Sequence, residues 1–175
     1  LMEKALAGAA AAGAVVELVN LNEYRFSPCV ACDGCYADGK CIVQDEMQPL
    51  YKKLLKADRI ILAAPIFSMG ICAQAKAMID RTQRFWATKY ILKREVIENK
   101  DKRHPRKGIF ISTAGLKHKN VFQGALQTAR YFFLMLEAEY AGEYCYPDMD
   151  EKGAVLKHPE ILEEVYTAGF NLGRE

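Results

Sequence analysis

Helix-like and strand-like segments alternate along almost the whole chain, and most of the strand-like ones are apolar without a break. A strand that is apolar at every position must be covered on both faces, as happens in parallel sheets. The first helix is expected over Met2 to Ala12, stopped by Gly13. The valine-rich run Val15 to Leu21 reads as a strand. Asp45 can cap a helix that runs to about Ala57, with Pro49 harmless in its first turn. Its apolar stripe is Met47, Leu50, Leu54 and Leu55. RIILAAPIF reads as a buried strand ending near Pro65, followed after a loop by a helix over Ala73 to Trp86. GIFISTAG is a second buried strand. The apolar run Val121 to Glu137 is expected to be a helix, Tyr140 to Tyr146 an aromatic strand, and Pro159 to Leu172 the last helix. Right-handed crossovers turn this alternation into an α/β fold, a three-layer, doubly wound parallel sheet. Ligands of such sheets lie outside the carboxyl ends of the strands. Those ends carry the loop that starts at Asn22, then PIFSMGICAQ, then STAGLKHKN.

The 175 residues fit one domain, 1–175, with an irregular loop at 22–44. A composition 51% hydrophobic and 26% charged excludes a disordered chain. A net charge of +2 is too mild for a nucleic-acid surface. No apolar run reaches the roughly 18 residues needed to span a bilayer. The start, LMEKALAGAA, lacks the apolar core of a secretory signal, so the cytoplasm is the expected compartment.

Four of the six cysteines fall in one short window, spaced Cys29-x2-Cys32-x2-Cys35-x5-Cys41. A four-iron cluster needs one thiolate at each corner of a small cube, and tight x2 spacings let a loop wrap three corners. Gly34 and Gly39 are expected to supply the positive φ values of such a wrap. A structural zinc site is the main competing reading, although zinc sites usually pair two C-x2-C units across a longer separation. A redox loop of disulfides or free thiols is the third. Cys72 and Cys145 stand among apolar residues and read as buried small hydrophobes.

A flavin needs an apolar slot for its ring and backbone N–H groups for its polar edge. Pro65 stops the strand, Ile66 and Phe67 supply apolar surface, and Ser68 to Ile71 can present N–H groups. Ser112 to Gly115 form a second small-residue loop, in which Gly115 permits close approach of backbone to ligand. Either loop alone reads equally well as a plain connection.

Taken together, the cysteine motif, KADRIILAAPIFSMGICAQAKAMIDRTQRFW and ISTAGLKHKNVF closely resemble the flavodoxin-like iron–sulfur flavoproteins, relatives of the NADPH-dependent FMN reductases. The resemblance covers roughly Met2 to Tyr146. It implies a flavodoxin-like domain that binds FMN and one 4Fe–4S cluster, works as a homo-oligomer (dimer or tetramer), and takes electrons from a ferredoxin-like donor. By motif, Cys29, Cys32, Cys35 and Cys41 would be the cluster ligands. Pro65, Ile66, Phe67, Ser68, Met69, Gly70 and Ile71 would line the isoalloxazine, and Thr113, Ala114 and Gly115 would flank it. The family's first strand and its serine-rich phosphate loop have no counterpart here, because this chain starts inside the first helix. Leu1 is therefore expected not to be the native start, with about 15–20 residues upstream.

From Lys93 to Lys107 there are seven Lys or Arg and three acids, which reads as a solvated connector or as a docking face for an acidic electron carrier. Lys117, His118 and Lys119 either stabilise reduced flavin or form a solvated loop. Phe85, Trp86 and Tyr90 read as core, flavin wall or interface. The leading function is electron transfer between a ferredoxin-like donor, the cluster and FMN, with no catalytic side chain. Its rivals are an NAD(P)H-dependent FMN or quinone reductase whose cysteines hold zinc or nothing, and a non-enzymatic redox sensor. Neither a membrane nor a nucleic acid is an expected partner.

Overall fold

The computed structural model describes residues 1–174, apart from the side chain of Lys119. Its helices are α1 (Met2–Ala11), α2 (Met47–Lys56), α3 (Ala73–Arg81), α4 (Gln83–Trp86), α5 (Gln123–Met135) and α6 (Pro159–Arg174). Its strands are β1 (Arg59–Ala63), β2 (Ile66–Phe67), β3 (Gly70–Ile71), β4 (Lys107–Thr113) and β5 (Glu139–Tyr146). Strands β1, β4 and β5 form a parallel sheet in the order β1-β4-β5. The short β2 and β3 pair antiparallel as a separate hairpin beyond the end of β1.

Strand β4 is central, and its residues alternate between the two faces as the pleat demands. Ile109 and Ile111 pack with Ala5 of α1 and Val165, Ala168 and Leu172 of α6. Phe110 packs on the other face with Leu50 of α2, Met78 of α3 and Phe132 of α5. Burial on both faces explains the unbroken apolar run, and the result is a three-layer α/β sandwich. Helices α1 and α6 approach until their backbones touch. A Cβ at Gly8 would lie 2.0 Å from the Tyr166 carbonyl oxygen, and one at Gly169 would lie 1.9 Å from that of Ala5.

Three expectations are corrected. The run Val15 to Leu21 is not a strand: residues 14–20 have no ladder partner among the described residues, and Val15 is fully exposed. An extended segment without a partner is not a strand, whatever its β propensity. Val19 and Leu21 instead lie against the core beside α2 and α3. The helix expected over Ala73 to Trp86 breaks at Thr82, whose hydroxyl donates to the Ile79 carbonyl at 2.6 Å. A π-helical turn, Ala87–Ile91, follows α4. The helix expected over Val121 to Glu137 is shorter, because Lys119–Phe122 form a 3-10 turn and Glu137 is left-handed at φ 52°. No described helix is long and apolar enough to cross a membrane.

Candidate functional site

Beyond the carboxyl ends of β1 and β4 lies an open pocket of about 410 Å³, within the range of small-molecule sites. Ile66, Ser68 and Met69 form one wall and Ala114, Gly115 and Leu116 the other, with Val121 and Asp150 completing it. Two sequence stretches some 45 residues apart meet because β1 and β4 are hydrogen-bonded neighbours in register. Ser112 reinforces the junction by donating its hydroxyl to the Ala64 carbonyl at 2.7 Å.

Ser68 and Met69 are the two turn residues between β2 and β3, and both are left-handed, at φ 49° and 65°. A two-residue hairpin turn demands that geometry, which glycine and asparagine ordinarily supply. For other side chains it costs about 1–2 kcal/mol per residue, and strain of this kind concentrates where ligands bind.

Among the residues singled out from sequence, Ile66, Ser68, Met69, Ala114 and Gly115 line the pocket together. Phe67 is 63% exposed and lies outside it, and Ile71 packs against the core instead. Pro65, Gly70 and Thr113 flank the pocket in sequence without lining it. Sequence reading missed Leu116, Val121 and Asp150. The first two lie within a stretch already singled out. No local signal marks Asp150. It arrives because the Asp148 N–H bonds the Leu116 carbonyl (3.1 Å) and the Met149 N–H bonds that of Ala114 (2.9 Å). A Cβ at Gly115 would lie 2.6 Å from the Asp150 carboxylate, so the wall is close-fitting at this point. Lys117 pairs with Asp148 at 3.6 Å. The expectation for the Lys119 side chain lies outside the described residues.

The apolar walls and the volume of this pocket fit a flat ring system such as a flavin. Its polar contacts would come from Ser68, Asp150 and the strained turn.

The cysteine loop lies between residues 22 and 44. All six cysteines are free; Cys32 is exposed and Cys29, Cys35 and Cys41 are half-buried. The positive φ values of the loop fall on Ala31 (51°), Asp33 (55°) and Gly39 (81°), not on Gly34. Gly34 is needed for space, since a Cβ there would lie 2.7 Å from the Ile42 side chain. Burial is the main cause that pushes the Cys35 thiol up, and the nearby Cys29, Cys41 and Cys32 thiols add to it. The four thiols therefore share one neighbourhood. Among the described residues, no three His, Cys, Asp or Glu side chains converge tightly enough to hold a metal ion. Four soft thiols on one wrapped loop are the donor chemistry of an iron–sulfur cluster.

The aromatics expected as core, flavin wall or interface divide. Phe85 is core, edge-on to Tyr51 at 5.7 Å. Trp86 packs between Tyr90 and Tyr36, so it supports the residue next to Cys35. Cys72 and Cys145 pack against the core, and burial pushes the Cys145 thiol up to about 12.

The family model described as NADPH-dependent FMN reductase matches residues 1–144. The chain is similar to an iron-sulfur flavoprotein of Methanocaldococcus jannaschii, 35% identical over 83 residues, which is 47% of this chain and 43% of the relative. It is similar to an iron-sulfur flavoprotein of Methanosarcina thermophila, 34% identical over 84 residues, 48% of this chain and 44% of the relative. The matches span less than half the length of these two relatives. In fold it resembles a flavone reductase (TM-score 0.68, 20% identity, 98% of this chain and 55% of that one). It also resembles an FMN-dependent NADH-azoreductase from Bacillus anthracis (TM-score 0.61, 12% identity, 98% and 89%).

Proposed function

Because this chain belongs to the NADPH-dependent FMN reductase family, we propose that it is the part of an electron-transfer flavoprotein that holds FMN in the strand-end pocket and a 4Fe–4S cluster on Cys29, Cys32, Cys35 and Cys41. The observation that carries the reading is one fold presenting both features. The pocket gathers Ile66, Ser68 and Met69 with residues 114–116, and a four-thiol loop leaves the same chain from another connection.

FMN exchanges one or two electrons and a cluster one at a time, so the pair together can split or combine electron pairs. The chain's own part is to bind and orient. Ile66, Met69, Leu116 and Val121 exclude water from the ring, and Ser68 and Asp150 offer polar groups at its edge. In this reading the working assembly is a homo-oligomer and the donor a ferredoxin-like carrier, with the protein in the cytoplasm.

A flavin reductase without a cluster is favoured by one observation, that no three thiols close on a point among the described residues. Anaerobic purification of the full-length protein, with iron, acid-labile sulfide, zinc and FMN measured per chain, separates the two. About four irons and four sulfides with about one FMN are expected. FMN with zinc or with no metal selects the reductase, and neither cofactor selects the sensor.

A further inference from the structure

The cysteine loop has almost no regular structure of its own, yet it is tied down from outside by arginines. Arg81 ends α3 and is only 2% exposed. Its Nη1 donates to the Ser27 carbonyl (2.8 Å) and to Asp45 Oδ2 (2.7 Å). Its Nη2 donates to Asp45 Oδ1 (3.1 Å) and reaches the Val43 carbonyl (3.5 Å). Asp45 in turn accepts from the Ser27 N–H at 3.1 Å. Ser27 stands two residues before Cys29, and Val43 two residues after Cys41. One guanidinium therefore joins both stems of the loop.

The bend of the loop is held separately. Arg84 donates its Nε to the Gly39 carbonyl at 2.9 Å and stacks its guanidinium over the Tyr51 ring at 4.7 Å. Arg94 donates to the Asp38 carbonyl at 2.5 Å. None of these guanidinium bonds ends on a cysteine. Arg81 reaches the carbonyl two residues after Cys41, and Arg84 the carbonyl two residues before it.

We propose that Arg81 and Arg84 are positioning residues for the cluster: Arg81, its charge balanced by Asp45, closes the stems of the cysteine loop, and Arg84 fixes its bend and raises the cluster's reduction potential by its positive charge. The inference rests on the cysteines being the cluster ligands. Reduction adds one electron, with no bond made or broken, and so adds one negative charge. A cation held nearby in a partly buried setting attracts that charge more strongly than it would across water, and cluster potentials follow local charge and solvent exposure.

Two measurements on the full chain test it. In the first, hydrogen exchange is followed with Arg81→Gln. Exchange across residues 27–45 is expected to quicken at least tenfold while β4 stays protected. Arg81→Lys should rescue little, because an ammonium cannot span both carboxylate oxygens and the carbonyls at once. Unchanged exchange in this segment overturns the clasp. Should Arg81→Gln not fold, Asp45→Asn opens the same clasp and is read in the same way.

In the second, the cluster is titrated anaerobically with dithionite and followed by electron paramagnetic resonance. Arg84→Gln is expected to move its midpoint to a more negative potential, and Arg84→Lys, which keeps the charge, to move it much less. Equal midpoints for Arg84→Gln and the unaltered protein overturn the charge role. A full chain that binds no iron ends both the cluster reading and the charge role. The exchange experiment still decides the clasp in that case.

Discussion

The strand-end pocket and the cysteine loop are held in place by opposite means. The pocket is positioned by backbone: the parallel ladder of β1 and β4 sets its two walls, and the hairpin of β2 and β3 projects from it. The loop is positioned by side chains, with Arg81, Arg84 and Arg94 gripping its carbonyls. A ladder shares its load over many bonds, whereas the clasp concentrates it in one buried ion pair. The loop is therefore the region a single substitution can release.

The largest expected effect breaks the clasp. Asp45→Ala leaves a buried guanidinium without its counter-charge and two backbone N–H groups, of Ser27 and Met47, without their acceptor. A loss of about 3 kcal/mol is expected from unpairing such an ion pair. Chemical denaturation reads the loss, and hydrogen exchange should show the loop opening before the pocket.

Acid is the milder form of the same experiment. Burial alone would raise the Asp45 pKa, but bonds from Arg81 and from the Ser27 and Met47 N–H groups outweigh it and hold it below the ordinary value. Burial alone would likewise lower that of Arg81, and Asp45 and Tyr51 hold it up. A depressed carboxylate contributes its full stability above its unfolded pKa of about 4. That contribution is lost as the pH falls through the folded value. The protection factors of the loop amides, which divide out the pH dependence of intrinsic exchange, should therefore fall below about pH 4.

The next effect is confined to the pocket. Gly115→Val pushes a branched side chain toward Asp150, the close-fitting point of the wall. FMN retention should fall about tenfold, which corresponds to roughly 1.4 kcal/mol. Iron content should not change. Parallel loss of both cofactors would show that the two regions are not independent.

The smallest effect tests the strain of the hairpin turn. Ser68→Gly relieves a left-handed side chain but adds the chain entropy of glycine. A net gain of about 0.5 kcal/mol is expected, read as a rise of about 1–2 °C in Tm.

Much of the pocket was legible because its signals are local. RIILA and KGIFIST are apolar runs ended by small residues, and a doubly wound sheet places such ends side by side. Asp150 was not legible, since two backbone bonds after β5 bring it in and nothing in its neighbourhood marks it. The charged stretch from Lys93 to Lys107 read as a solvated connector or a docking face, yet several of its cations are internal ties. Arg94 holds Asp38, Arg103 pairs with Asp58 at 2.7 Å, and Arg106 is 6% exposed and bonds carbonyls of Leu54, Ala57 and Leu136. A list of charges carries no record of which carbonyls they meet.

By itself the sequence determined the parallel α/β architecture and the kind of chemistry at two loops. Unbroken apolar strands need cover on both faces, and four thiols in thirteen residues are soft donors wherever they lie. Only the tertiary structure decided that Val15 to Leu21 lacks a ladder partner, and that Asp150 closes the pocket. It also decided that Arg81 closes the cysteine loop. Those are long-range hydrogen bonds and close contacts, set by which segments meet in space, and hydrophobic periodicity and residue spacing do not encode them.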